Sequence, residues 1–168
     1  ALDRLVAANL VHRPRPGRYQ LHDLIREYAA ECAAADGSAD DAVVALVDFF
    51  IETATGAARL LYQHPGPPSA PGDRHLPLAT EATALQWLDQ ERPNLVAAIR
   101  WAAVRPVVCG RAWRLADALW GYLASRGAAG EAVAACTAAL DAARDRGDRA
   151  AEVSLRALLG TIQYNLHH

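Results

Sequence analysis

Apolar side chains recur every three or four residues along most of this chain, and this spacing restricts its fold more than any other feature. The clearest run lies in residues 39–62. Its apolar face includes Val43, Val47 and Phe50, as in an amphipathic helix. Much of the remaining apolar content is alanine, the strongest helix former. The sequence therefore predicts an all-α fold with a minor β-hairpin near the N-terminus.

The first 36 residues predict a short helix, a hairpin and a second helix. The first helix is expected over residues 2–11. Two prolines and Gly17 then forbid helix, and a two-stranded hairpin with its tip near Pro16-Gly17 is expected. Leu24, Ile25 and Cys32 define the face of the next helix. This order is the pattern of the later part of a winged helix, so residues 1–36 are interpreted as a partial winged helix.

Breaks in the periodicity divide the rest of the chain into three segments. Asp36-Gly37-Ser38 interrupts the helix, and residues 37–63 are predicted to form a long connecting helix. Residues 64–78 are rich in proline, which predicts a linker or an ordered surface loop. Residues 79–168 are predicted to form helix pairs.

The last segment carries start and stop signals for several helices. Thr80 is predicted to cap one helix, and Pro93 lies where a second can start, because a first-turn residue needs no backbone donor. Gly127 and Gly147 mark turns. Three further helices are expected at residues 109–125, 130–145 and 149 to the end.

Part of this segment suggests an internal repeat. Leu119-Trp120 and Leu159-Gly160 occupy matching helices, and Ala132, Cys136 and Ala139 provide small residues where helices can approach closely. The pattern resembles a tetratricopeptide repeat, with a longer period and with Trp120 where a small residue is usual. The last repeat is incomplete. It is therefore predicted either to expose apolar surface or to pair with another copy in a homodimer.

Two stretches make a more specific resemblance. Gly17-Arg18-Tyr19-Gln20-Leu21-His22-Asp23-Leu24-Ile25-Arg26-Glu27-Tyr28-Ala29 is similar to the end of the winged helix in AfsR-like bacterial regulators, which are STAND-class ATPases related to NB-ARC proteins. Trp87-Leu88-Asp89-Gln90-Glu91-Arg92-Pro93-Asn94-Leu95-Val96-Ala97-Ala98 resembles the helix pair that precedes their tetratricopeptide array. The resemblance implies a transcriptional regulator with a repeat-based sensor.

The resemblance also implies a role for His22. Leu21-His22-Asp23 is similar to the family's MHD motif, whose histidine reads bound ATP or ADP in the full-length protein. The residues themselves allow a simpler role, in which Asp23 caps the following helix, and both can hold. The sequence contains no lysine and no phosphate-binding GxxxxGK[ST] motif. No cofactor is therefore expected for this chain alone.

A groove between helix pairs would suit a protein partner, the upstream domains of the same protein or a small effector. The candidate interaction residues are Trp87, Arg92, Asn94, Trp113, Trp120 and Tyr164. For the tryptophans, core packing is the alternative interpretation. Glu91 and Arg92 beside Asp89 are interpreted as a helix-end charge cluster. His64 and His75 lack metal-ligand spacing.

Several classes of function are disfavoured. No apolar run is long enough to span a membrane, and a cytoplasmic location is expected. The three cysteines, which are far apart, are interpreted as buried small residues in a reducing compartment. No catalytic triad, nucleophile elbow or zinc signature is present. The chain is therefore predicted not to be an enzyme.

Nucleic-acid binding remains the alternative function. Arg13, Arg15 and Arg18 lie on the predicted hairpin, where a wing can contact phosphates. Nearby acidic residues nearly balance them, and the net charge is -2, so direct DNA contact is not predicted. The alternative is a free-standing winged-helix DNA-binding regulator with a helical dimerisation region.

Overall fold

A computed structural model describes residues 2–15, 17–36, 39–62 and 76–166. In this part of the chain, helices predominate and a single two-stranded antiparallel sheet is present, which confirms the all-α prediction with its minor hairpin. In chain order the elements are α1 (Leu2–Ala7), β1 (Val11–Arg15), β2 (Arg18–Leu21), α2 (Asp23–Asp36), α3 (Ala39–Tyr62), α4 (Glu81–Ala103), α5 (Cys109–Ser125), α6 (Ala129–Asp145) and α7 (Arg149–Leu166).

The chain forms two compact units, Ala1–Ala42 and Val43–His168. Most of the predicted loop at 64–78, with His64 and His75, lies outside the described residues, as do His167 and His168. At the end of that loop, the backbone N–H of Leu76 donates to Thr53 Oγ1 at 3.3 Å.

In the first unit, α1 ends earlier than predicted. It stops at Ala7, and the expectation that it reaches Val11 is wrong. Asn9 has a φ of 53°, a left-handed conformation that cannot continue an α-helix. Val11 instead begins β1, pairs with Leu21 and is 5% exposed. Gly17, one of the two residues of the predicted tip, has a φ of 75°; the other, Pro16, lies outside the described residues.

Two further expectations for this unit need correction. Asp23 is the first residue of α2 and not its cap, and it pairs with Arg26 at 2.9 Å. The carbonyl of His22 accepts from the Arg26 backbone N–H at 2.8 Å. Cys32 is exposed, so the prediction of a buried thiol is wrong there, whereas Cys109 and Cys136 are buried as predicted.

The second unit contains the main hydrophobic core. The predicted long helix is confirmed as α3, whose Val47 and Ile51 are at most 2% exposed and pack in the same core as α4 and α5. Two polar contacts add to this packing. Arg111 Nε donates to Asp48 Oδ1 at 2.8 Å, and the Tyr62 and Ser125 hydroxyls are 3.0 Å apart.

α4 begins at its predicted cap. The Thr80 side chain accepts from the Thr83 backbone N–H at 3.2 Å, and the Thr83 hydroxyl accepts from the Thr80 backbone N–H at 3.1 Å. This reciprocal capping box satisfies two backbone donors that would otherwise lack partners.

α4 is one continuous helix, so the prediction of a new helix starting at Pro93 is wrong. A proline inside a helix removes one backbone hydrogen bond and costs about 3 kcal/mol. Leu88, Leu95 and Ile99, before and after the proline, are each at most 1% exposed on the same side of α4. Burying each such side chain contributes roughly 1.5–3 kcal/mol, which is enough to keep the helix continuous.

The last three helices follow one another at equal spacing, confirming the predicted helices within one residue at their starts. α5, α6 and α7 begin at Cys109, Ala129 and Arg149. Gly127 and Gly147, with φ values of 67° and 68°, form the two turns, as predicted. α6 packs against both α5 and α7 and also contacts α4. This last contact brings α4 and α6 together along one side of the unit.

The surfaces of α6 and α7 differ. The α6 residues Ala132, Ala135 and Ala139 are at most 2% exposed, which allows the close helix packing expected of small residues. On α7, Val153 and Tyr164 are each 66% exposed. The predicted exposure of apolar surface on the last helix is therefore confirmed, while pairing with a second copy stays a prediction.

Candidate interaction site

The middle of α4 carries a carboxylate that ties this helix to α5 and its C-cap. Asp89 accepts a 2.7 Å hydrogen bond from the hydroxyl of Tyr122 on α5 and a 2.6 Å hydrogen bond from Nη2 of Arg126. Arg126 immediately follows α5, where it is the C-cap residue. Burial, followed by the hydrogen bond to Asp89, raises the pKa of Tyr122 to about 12. The phenol therefore stays neutral and serves as a fixed donor.

A second polar link joins α4 to α6. The guanidinium of Arg92 pairs with both carboxylate oxygens of Glu131, with Nε 3.2 Å from Oε2. The hydrogen bond from Arg92 holds the pKa of Glu131 below its usual range, and Arg100 lowers it further. The same hydrogen bond raises the pKa of Arg92. The pair stays charged near neutral pH and fixes α4 against the start of α6.

These links border a groove between α4 and α6, here called the α4–α6 groove. It consists of two cavities that share Arg100. The Glu131 cavity, of about 520 Å³, is lined by Asp89, Arg92, Pro93, Val96, Ala97, Arg100 and Glu131. The Arg146 cavity, of about 590 Å³, is lined by Arg100, Ala103, Val104, Pro106, Cys109, Ala138, Asp141, Ala142, Asp145 and Arg146. Each volume is in the range that small-molecule sites occupy.

An apolar cleft of about 320 Å³ lies on the α3 side of α4. Its lining includes Phe50 and Trp101, together with Leu46, which is 50% exposed. The guanidinium of Arg105 stacks over the Trp101 ring at 3.8 Å. This cation–π contact covers part of the indole and leaves the cleft walled mainly by aliphatic and aromatic carbon.

The predicted interaction residues are dispersed over the second unit. Trp87 is 8% exposed and belongs to the core. Trp113 and Trp120 are partly buried against that core. Tyr164 lies exposed on α7.

The other two predicted residues lie on α4, on different clefts. Arg92 borders the Glu131 cavity, and Asn94 borders the apolar cleft. The side-chain amide of Asn94 donates to Glu91 at 2.8 Å.

His22 belongs to a separate cleft in the first unit. Its side chain is exposed, and with His12, Gln20, Leu21 and Asp23 it lines a space of about 270 Å³. In the described part of the chain, no group of three or more histidine, cysteine or carboxylate side chains could hold a metal ion.

The charge cluster on α4 does not have the origin inferred from the sequence. Asp89, Glu91 and Arg92 lie in the interior of one helix and not at a helix end. The partners of Asp89 and Arg92 are Tyr122, Arg126 and Glu131, which sequence reasoning missed. Leu119-Trp120 and Leu159-Gly160 of the predicted repeat lie 40 residues apart. This period hints that residues about this far apart in the chain share an interface, but it does not specify which side chains meet.

The fold and the groove define the class to which the described region belongs. It is an all-α protein whose consecutive helices stack beside a cleft lined by charged and small apolar side chains. Over 174 residues, covering 96% of this chain, the sequence is 33% identical to regulatory protein AfsR of Streptomyces griseus. It is 32% identical over 179 residues to regulatory protein AfsR of Streptomyces coelicolor, again covering 96% of this chain. The chain is therefore similar to these two regulatory proteins over nearly its whole length, and it spans 17% of the length of each relative.

Two other comparisons give no match. No protein-family model matches this sequence, and no solved structure is similar to it. Among the described helices, none is long and apolar enough to cross a membrane.

Proposed function

We propose that this chain is a recognition region, without catalytic activity, of an AfsR-like transcriptional regulator. Its surface for a protein or small effector is the α4–α6 groove. The observation that carries this proposal is the polar frame of the groove, in which Asp89 and Arg92 on α4 are held by partners from α5 and α6. A frame of this kind keeps a binding surface in one geometry before its ligand arrives, which reduces the entropy lost on binding.

The two units are assigned separate roles. The first unit has the order helix, hairpin, helix, which supports its assignment to the end of a winged helix. In the second unit, α5, α6 and α7 begin at equal spacing and turn through left-handed glycines. This regularity supports the assignment of α4–α7 to the start of a tetratricopeptide-like array.

The proposed mechanism is a population shift in a cytoplasmic, nucleotide-dependent regulator. A ligand that binds the groove more tightly in one arrangement of the full-length protein favours that arrangement. His22 would report the change to a nucleotide site for ATP or ADP formed with upstream domains. An exposed imidazole suits this role, because a ring N–H can donate to a phosphate oxygen.

The test fills the groove in the full-length regulator and measures transcription from a reporter. Ala138 lines the Arg146 cavity, whereas Ala134 is exposed on the same helix and lines neither cavity. Ala138→Trp is expected to abolish the response to the inducing signal, and Ala134→Trp to preserve it. An unchanged response in Ala138→Trp, at normal protein level, would contradict the proposal.

DNA binding remains the second candidate, because Arg13 and Arg15 are exposed on β1. Titration with random duplex DNA at increasing salt distinguishes it from the first. A DNA-binding hairpin gives affinity that falls steeply with salt and is lost in the double variant Arg13→Gln/Arg15→Gln. The recognition proposal predicts no retained duplex at low salt.

A further inference from the structure

We infer that the Arg146 cavity binds a small organic anion, consisting of an apolar body and one carboxylate. The inference rests on the proposed function and specifies the chemistry of its ligand. Most of the lining of the cavity is apolar, and the space is about 590 Å³, which is large enough for a ligand of drug-like size.

Two arginines and two aspartates line this cavity, and in the described residues they form no ion pair with one another. Arg146 Nη1 donates to two uncharged partners, the carbonyl of Pro106 at 3.3 Å and Cys109 Sγ at 3.0 Å. Within the described residues, neither Arg100 nor Arg146 forms an ion pair with a carboxylate. Asp141 is neutralised by Arg144 at 3.2 Å. In the part of the chain that the structure describes, Arg146 therefore lines the cavity without a carboxylate partner, and Arg100, which also acts on Glu131 of the neighbouring cavity, forms no ion pair with the lining carboxylates. Asp145 is the lining carboxylate that opposes them without an ion pair of its own in that part of the chain.

A guanidinium is well suited to recognise a carboxylate. It offers several N–H donors in a planar fork, and its pairing with a carboxylate is strengthened when apolar walls exclude water. Contacts to Pro106 and Cys109 hold the Arg146 guanidinium in place before binding. The carboxylate of the ligand would lie at Arg100 and Arg146, with its hydrocarbon part against Ala103, Val104 and Ala142.

The surrounding groove favours a small anion over an acidic peptide. Asp89 and Glu131 line the neighbouring cavity, and Asp141 and Asp145 line this one. An extended segment with several negative charges would find Arg100 and Arg146 as the only arginines without an ion pair among the described residues that line the two cavities. A ligand with a single negative charge can place it at the two arginines and fill the remaining space with carbon.

The test measures binding of octanoate and of octanamide, its uncharged counterpart, to the 168-residue chain by isothermal titration calorimetry. Octanoate is expected to bind at least about fivefold more tightly than octanamide. Arg100→Gln and Arg146→Gln should each remove most of this preference. Asp145→Asn, which deletes the opposing charge, should tighten octanoate binding. Arg114→Gln, at an α5 residue that lines neither cavity, is the matched control and should change nothing.

Equal affinity for the acid and the amide, or no binding of either, would overturn the inference. Tighter binding of a hexaglutamate peptide at the same arginines would replace the small anion with an acidic partner. The calorimetric test of the anion and the reporter test of the proposed function can fail independently. A carboxylate preference with no reporter effect of Ala138→Trp would refute the proposed function alone, and the reverse pair of results would refute the anion alone.

Discussion

The hydroxyl of Tyr122 donates a 2.7 Å hydrogen bond to Oδ1 of Asp89, while the tyrosine itself is 1% exposed. A side chain in the core of α5 thus holds a carboxylate on the rim of the α4–α6 groove. Arg126 fixes the second oxygen of that carboxylate. Core packing and groove geometry are therefore linked through one residue pair.

Removing this hydroxyl should destabilise the protein without creating a cavity. We expect Tyr122→Phe to lower the free energy of unfolding by roughly 1.5–3 kcal/mol, the usual net value of a hydrogen bond to a charged group. Urea denaturation measures the change. In an Asp89→Asn background the same substitution should lower it by less, because the charged acceptor is already gone. An equal loss in both backgrounds would show that the two side chains are not coupled.

Stability should fall at alkaline pH through the same residue. The pKa of Tyr122 is about 12 in the folded protein and 10.0 for an unperturbed tyrosine, since burial and Asp89 favour the neutral phenol. The unfolded chain therefore releases this proton first. The contribution is complete below pH 10 and is lost between pH 10 and 12, by roughly 2–3 kcal/mol.

Denaturation between pH 10 and 12 should show that the free energy of unfolding falls more steeply with pH for the wild-type chain than for Tyr122→Phe. Cys136, whose pKa burial raises to about 12, acts in the same direction in both proteins. Identical pH dependence in the two would exclude a buried, neutral Tyr122.

The ion pair of Arg92 and Glu131 should contribute less to the free energy of unfolding. Both side chains are more than one-third exposed to solvent, at 34% and 39%. We expect a coupling below about 1 kcal/mol in a double-mutant cycle with Arg92→Gln and Glu131→Gln. It should weaken in high salt. Since hydrogen bonding lowers the pKa of Glu131, this contribution is present at neutral pH and is lost as pH falls through that lowered pKa. A coupling unaffected by salt or acid would argue against an ion pair.

The turns provide a test of backbone conformation. Gly127 has a φ of 67°, and a Cβ added there would meet no atom within 4 Å, so Gly127→Ala introduces only backbone strain. We expect a loss of about 1–2 kcal/mol. Gly160 lies in the interior of α7 with equally open space, and Gly160→Ala should stabilise by roughly 0.5–1 kcal/mol. Thermal unfolding of both variants checks the contrast; destabilisation by both would indicate a crowding effect.

Local signals in the sequence predict the helices well. α5 spans the predicted residues, and the positive φ values of Gly127 and Gly147 agree with their assignment to turns. The Thr80 cap depends on residues three positions apart and is likewise readable. Pro93 misleads because its local preference is overcome by the burial of Leu88 and Leu95 in a shared core, which a linear pattern does not reveal.

The groove is less predictable. The sequence predicts Arg92 as an interaction residue, but it does not predict the partner Glu131, which lies on another helix. Tyr122 looks like an ordinary core residue in the helical pattern, and its polar role depends on where Asp89 is placed in space. Arg100 and Arg146 matter because they line the same cavity from different helices, a property that only three-dimensional packing defines.

The most direct test of groove recognition is amide hydrogen exchange in the full-length regulator, with and without its inducing signal. We expect exchange to slow mainly in α4 and α6, at the backbone on either side of the groove. A change confined to β1 and β2, with none in α4 or α6, would contradict it.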